Sequence, residues 1–243
     1  EAAAQFFEHQ LYQPSGKHAL DYLKGRGLTD DTINRFRLGF APDGRGVMKE
    51  ALAAEGIDEG RMIAAGMIIQ PDDRSRDSYD RFRGRVMFPI ADTRDRIIAF
   101  GGRVLGNGEP KYLNSPESDI YHKSKVLYGI YYAKQAIAKE DNCFLVEGYT
   151  DVIQFAQRGI ENVVSSSGTA LTPEQIRLIN RLTKNITVLF DGDAAGLRAS
   201  LRGIDLILEQ GMNVRVCTFP EGEDPDSFAK NNELDDVLAY LSD

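Results

Sequence analysis

The sequence predicts an α/β protein: a parallel sheet with flanking helices, preceded by a mixed α+β subdomain. Three observations lead there. From about residue 130, apolar runs of strand length alternate with helical stretches. Between about 67 and 128, short apolar runs are parted by Gly, Pro, Asp and Asn, a texture of strands and loops. Up to about residue 60 the pattern is helical. The 243 residues are 42% apolar and 27% charged, which supplies one large core or two modest ones and excludes a disordered or fibrous chain.

Element by element, a helix over Lys17 to Lys24 ends at the glycines of GRGLTDD, and Thr29 with Asp30 and Asp31 opens the next. MKEALAAEG is a short helix closed by Gly56. GMIIQ, RVMFPIAD, RIIAFGGRVL and KVLYG are the short apolar runs of the middle region. The regular alternation then begins: IYYAKQAIAKE is a helix, NCFLVEG a buried strand, and DVIQFAQRG a helix ended by Gly159. NVVSSSG, NITVLFD and NVRVCTF are strands, separated by the helices TPEQIRLINRL and AAGLRASLRGIDLILEQG. Thr172 as N-cap, Pro173 at the first helical position and Gln175 three after the cap form a capping-box pattern. Strands alternating with helices of this length wind a parallel sheet by right-handed crossovers. No internal repeat or low-complexity stretch interrupts them.

No run approaches the roughly 20 apolar residues of a membrane helix, and the opening EAAAQFFEHQ lacks the apolar core of a signal peptide. Two cysteines (Cys143, Cys217) and three scattered histidines (His9, His18, His122) exclude a disulfide framework and a zinc cluster, so a reducing cytosolic setting is the default. The net charge of −8 is uneven: residues 1–138 carry 20 Lys/Arg against 19 Asp/Glu, residues 139–243 only 9 against 18. Arg74, Arg76, Arg81, Arg83, Arg85, Arg94, Arg96 and Arg103 outnumber the nearby acids Asp77, Asp80, Asp92 and Asp95. A cationic face beside an acidic half suits phosphate held next to metal; ordinary solvated surface is the alternative.

In open parallel sheets ligands bind at the carboxyl ends of the strands. Those ends are acidic here. Glu147 ends one strand, with Asp151 in the first turn of the next helix. Asp191 and Asp193 end another, and Asp224 and Asp226 lie in the loop after the third. Taken singly, Asp193 and Asp226 could cap helices and Asp151 could complement a helix dipole. Glu147 and Asp191 would be costly at the end of a buried strand unless paired. Clustered carboxylates without His or Cys favour Mg²⁺ or Mn²⁺ over zinc and point to phosphoryl-transfer chemistry.

EGYTD, then FDGDAAG, then GEDPD resemble the TOPRIM motif set shared by primases, topoisomerases and some nucleases. With RFRGRVMFPIAD, IIAFGGRVLG, PKYLNSPES, YHKSKVLYG and SSSGTALTPEQI, the chain from about Lys17 to Phe228 resembles the RNA polymerase core of bacterial replicative (DnaG-type) primases. Thr150 and Ser167 depart from that family's usual Met and larger apolar residue without touching a carboxylate. The resemblance implies three parts: 1–138, an α+β subdomain with a basic surface for nucleic acid and nucleoside triphosphate; 139–228, a TOPRIM metal-binding catalytic subdomain; and 229–243, the start of a truncated helical segment. It implies an excised core, without the family's zinc-ribbon and helicase-binding domains, whose replicative helicase partner would dock through the latter.

The same resemblance assigns roles. Glu147, Asp151, Asp191, Asp193, Asp224 and Asp226 would hold Mg²⁺, with Mn²⁺ as substitute, against an incoming ribonucleotide; Glu147, Asp191 and Asp193 would be catalytic, and Glu147 is either base or ligand. Arg81, Arg83, Arg103, Lys111, Asn114, Lys123 and Lys125 would hold triphosphate and single-stranded DNA. Tyr112 and Tyr121 are either stacking platforms or core. The implied activity is RNA primer synthesis at a bacterial, cytoplasmic replication fork, with no membrane partner. The rivals are another TOPRIM enzyme, a dehalogenase-type phosphatase using Asp191 as nucleophile, and a non-catalytic nucleic-acid-binding module.

Overall fold

The chain divides into two units, Glu1–Ala91 with Asp95–Lys123, and Asp92–Arg94 with Ser124–Asp243. The structure, a computed structural model, describes every residue except Arg74, Thr169, Asp191, Gly192, Asp193, Glu221 and Asp243; of residues 194–201 it describes the backbone only.

The first unit opens with helices α1 (Ala2–Leu11), α2 (Lys17–Gly25) and α3 (Asp30–Arg35). Strand β1 (Gly39–Ala41) follows, then α4 (Val47–Ala54), α5 (Glu59–Ala64) and a short antiparallel ribbon of β2 (Ile68–Ile69) with β3 (Tyr79–Asp80). β4 (Arg85–Ala91), β5 (Ile97–Val104) and β6 (Tyr112–Asn114) join β1 in an antiparallel sheet of order β1-β4-β5-β6. β1 corrects the all-helical expectation for the first 60 residues. A three-residue strand is too short to show a period, and Phe40 is buried through its pairing with Val86. On one sheet face Met87, Phe100 and Ala41 pack with Phe7 of α1, Met48 and Leu52 of α4, and Phe82. Gly102 has to be glycine there: a Cβ would stand 2.9 Å from the Phe82 ring and 3.0 Å from the Arg85 stem.

Non-local polar bonds fix the rest of this unit. Asp80, 2% exposed, accepts from the amides of Met48 (2.8 Å) and Lys49 (3.0 Å), capping α4 from β3. Arg85, 6% exposed, donates to the carbonyls of Pro110 (2.9 Å) and Gly102 (3.2 Å), tying down the β5–β6 connection.

The second unit is the predicted parallel sheet. α6 (Ile130–Glu140) leads into β7 (Cys143–Val146), α7 (Tyr149–Gln157), β8 (Val163–Ser165), α8 (Pro173–Asn180), β9 (Asn185–Phe190), α9 (Ala194–Glu209) and β10 (Asn213–Thr218). Strand order is β8-β7-β9-β10, all parallel. Cys143 and Leu145 face the layer of α6 and α8, with Ile137, Ile176, Ile179 and Ile207, while Phe144 and Val146 are buried on the other side. Apolar residues are therefore continuous along β7. KVLYG is not a strand; Tyr128 only bridges Ser165. The adjoining Gly129 takes φ +85°, and a Cβ there would meet Val152 at 2.7 Å. α10 (Pro225–Asn231) and α11 (Leu234–Ser242) complete the unit, α11 held by Tyr240 against Phe219 and Phe228. Among the described residues no helix is long and apolar enough to cross a membrane.

Candidate acidic catalytic edge and cationic surface

In the second unit the chain leaves β7 through α7 to β8 on one side, and leaves β9 through α9 to β10 on the other. Adjacent β7 and β9 are thus a topological switch point, where an open parallel sheet forms its ligand crevice at the carboxyl ends. Glu147 is the residue after β7, and Asp191 comes after β9 in sequence. Asp191 and Asp193 themselves lie outside the described residues.

Two local devices hold Glu147. Its carbonyl accepts from the hydroxyl of fully buried Ser165 (2.7 Å) and from the Gly168 amide (3.2 Å), so the β8–α8 loop braces the β7 exit. The chain then turns at Gly148, whose amide donates to Asp151 Oδ2 (2.9 Å). Asp151 therefore does act at the helix N-terminus. The Glu147 side chain is exposed, so the desolvation cost expected of it does not arise.

Asp224 is the N-cap of α10: its Oδ1 accepts from the Ser227 amide (2.7 Å), while Ser227 Oγ accepts from the Asp224 amide (3.0 Å). This corrects the reading that Asp226 caps this helix. Asp226 instead stands in its first turn, half-buried. Arg158, at the end of α7, donates to the carbonyls of Ala229 (2.8 Å), Lys230 (2.8 Å) and Asn232 (2.9 Å) at the end of α10. With their carboxyl ends joined, α7 and α10 run the same way and present Asp151, Asp224 and Asp226 toward the same edge of the sheet. Asp151 is two turns before Arg158.

These four described acids share an edge, but no three His, Cys, Asp or Glu side chains among the described residues are close enough to hold a metal ion. Oxygen donors alone at this edge, with no histidine in the unit, fit a hard cation such as Mg²⁺ or Mn²⁺ rather than zinc. A buried carboxylate oxygen of Glu223, beside Asp224, has no hydrogen-bond partner.

The cationic residues of the first unit fall into two groups. Arg103 pairs with Tyr112 across β5 and β6, and its guanidinium lies 4.6 Å from the Tyr22 ring of α2. Burial pushes the Tyr112 hydroxyl pKa up, and the charge of Arg103 pulls it back. Arg81 donates to the Asn114 carbonyl (3.2 Å), and burial makes Arg81 a weaker base than usual. Lys111, exposed, precedes Tyr112. Arg81, Arg103, Lys111 and Asn114 are thus gathered around β6. Tyr22 and Arg26, which donates to the Tyr22 hydroxyl (3.1 Å), belong with them; a lone aromatic on a short helix carried no signal in the sequence. Arg83 belongs instead with Tyr79, 5.4 Å from its ring. The half-buried Lys123 sits in the loop after β6, its amide on Glu117 (2.9 Å), and Lys125 is exposed in the second unit. Tyr121 is 2% exposed and is core, its hydroxyl pushed up to about 12 by burial, which removes it as a stacking platform.

This combination defines a class: a Toprim-type α/β unit with a carboxylate edge, in one chain with an Arg-rich antiparallel unit. Residues 6–134 match the family described as DNA primase catalytic core, N-terminal domain, and residues 144–229 match the Toprim-like family. The chain belongs to the DNA primase (DnaG) catalytic-core family. It is 47% identical to a DNA primase of Pseudomonas aeruginosa, covering 99% of this chain and 37% of that protein. It is 45% identical to a DNA primase of Escherichia coli K12, covering 93% and 39%. The chain therefore spans well under half the length of these curated relatives. A crystal structure of a P. aeruginosa DNA primase domain superposes with a TM-score of 0.92 at 46% identity, covering 99% of this chain and 76% of that one. A DnaG primase catalytic domain bound to single-stranded DNA gives 0.88 at 43%, covering 98% and 77%. Toprim primase cores are in general metal-dependent.

Proposed function

We propose that this chain is the catalytic core of a primase and joins ribonucleotides on a single-stranded DNA template. The observation that carries the reading is Glu147 at the switch point between β7 and β9, with further acids at the same edge. In this reading Glu147, Asp191 and Asp193 are catalytic. Together with Asp151, Asp224 and Asp226 they would hold Mg²⁺, or Mn²⁺ in its place, which when bound neutralises charge on the triphosphate and on departing pyrophosphate. Glu147, exposed on a braced turn, serves as ligand or takes the proton of the attacking hydroxyl. Arg81, Arg83 and Arg103 contact phosphates through planar N–H pairs, while Lys111, Lys123 and Lys125 add point charge and Asn114 an amide.

The parts divide the work. Residues 1–138 bind template and nucleotide, residues 139–228 carry the catalytic carboxylates, and residues 229–243 are helical for the most part. Support comes from the family membership and from the single-stranded DNA named for one structural relative. A replicative helicase, at a bacterial cytoplasmic fork, is the further partner in this reading.

The test is incorporation of labelled ribonucleotides on single-stranded DNA with Mg²⁺ or Mn²⁺, alongside metal-dependent nucleotide binding. Wild type is expected to make short RNA, and Glu147→Gln and Asp191→Asn to lose about 10²-fold or more of the rate. Undiminished synthesis by either variant removes that residue from catalysis. Absence of both synthesis and nucleotide binding in wild type overturns the reading.

A further inference from the structure

Two guanidinium groups meet on the Tyr79 ring. That of Arg45 lies 4.9 Å from its centre and that of Arg83 5.4 Å. The arrangement is braced. The Asp80 amide donates to the Arg45 carbonyl (2.7 Å), and the Asp80 carboxylate is committed to the amides of Met48 and Lys49 just beyond Arg45. Among the described residues neither Arg45 nor Arg83 forms an ion pair, although both are exposed.

Guanidinium groups gathered on one ring repel, and an anion relieves that repulsion, the nearby Asp80 carboxylate being already committed to the α4 amides. The aromatic ring matters for what it leaves open. An ion pair would occupy the N–H donors of each guanidinium, whereas a ring face orients the cation and leaves all five donors available. Planar donors held in place this way suit the paired oxygens of a phosphate.

We propose that Arg45, Tyr79 and Arg83 form a clamp on the phosphodiester backbone of single-stranded nucleic acid, with Arg45 and the Tyr79 ring adding to the phosphate contacts of Arg81, Arg83 and Arg103. The proposal rests on the primase-core reading. It assigns Arg45 to phosphate and Tyr79 to holding the arginines through its ring rather than its hydroxyl.

The test is binding of a fluorescent oligothymidylate of about 20 nucleotides, titrated from about 50 to 300 mM salt. Arg45→Ala is expected to weaken binding about 3- to 10-fold near 100 mM salt and to flatten the slope of log K against log salt by about 0.7, one phosphate contact. Tyr79→Phe, which keeps the ring, retains wild-type binding, and Tyr79→Leu loses about as much as Arg45→Ala. Arg61→Ala, which removes an exposed cation paired with Asp58, is the control for net charge. If wild type binds with a salt slope and Arg45→Ala changes no more than Arg61→Ala, the clamp is overturned and the primase-core reading stands. Loss of binding in Tyr79→Phe equal to that in Tyr79→Leu overturns the ring's role. Failure of wild type to bind the oligonucleotide overturns both.

Discussion

In the second unit the helix caps at the edge close within a few residues, Thr172 with Gln175, Gly148 with Asp151, Asp224 with Ser227, and longer bonds such as Ser165 to Glu147 and Thr172 to Ser124 tie those caps to the strands and loops. In the first unit the bonds that shape the frame are long. Asp80 reaches back 32 residues to Met48, Arg85 reaches forward 25 to Pro110, and Ser115 accepts from the Phe100 amide 15 residues away. The difference comes from topology. A strand-helix alternation builds each crossover from neighbouring chain, whereas short antiparallel strands leave helix ends and connections to be satisfied by distant side chains. Substitutions at the long ties should therefore cost more per bond than substitutions at local caps, and Arg158 is such a tie in the second unit.

The largest expected effect is Asp80→Ala. It strands two amides at the start of α4, one of them buried, and is expected to cost about 3 kcal/mol in chemical denaturation. A loss below about 1 kcal/mol would erase the contrast between the units. The same residue supplies a pH signature. Burial lifts the Asp80 carboxyl above its ordinary value against the pull of the two amides. The folded state keeps this proton to higher pH than the unfolded chain, so its contribution is complete below the ordinary carboxylate pKa and is lost as pH rises through the raised one. The stability gap between wild type and Asp80→Asn should narrow as pH rises above the ordinary carboxylate pKa; a gap that widens would reverse the sign.

Next comes Arg158→Ala, which removes three bonds to the last carbonyls of α10. About 2 kcal/mol is expected, discounted for partial exposure, together with earlier proteolysis within 225–242. Wild-type proteolysis would show that α10 is held by its apolar contacts alone. The smallest is Ser227→Ala, whose hydroxyl bonds the amide and carbonyl of Asp224 within the α10 cap, at about 0.5 kcal/mol; an effect as large as that of Asp80→Ala would contradict the distinction between near and far bonds.

The same contrast explains what could be read from sequence. The alternation after residue 130, the Thr172 capping box and the terminal glycine Gly159 are short-range signals, and each element stands where the pattern predicts. The acids at the carboxyl ends were legible for the same reason, because a parallel sheet turns sequence position into location. In the first unit β1 and β6 have three residues each, too few for a period, and Arg85 looked like one more surface arginine until its carbonyl partners were known. The Arg45–Tyr79 contact joins residues 34 apart through a ribbon of two-residue strands, and no local pattern encodes it.

Arg158 carries a last consequence, for insertions and deletions. Each residue added to a helix turns the turns before it by about 100° and shifts them about 1.5 Å relative to the turns after it. Because the far ends of α7 and α10 are pinned together, one residue inserted between Asp151 and Arg158 would turn Asp151 by about 100° relative to that tie while leaving every carboxylate in the sequence. The lengths of these two helices are thus a measuring device. A homologue with all the acids but one residue more in α7 would keep the motif and lose the arrangement.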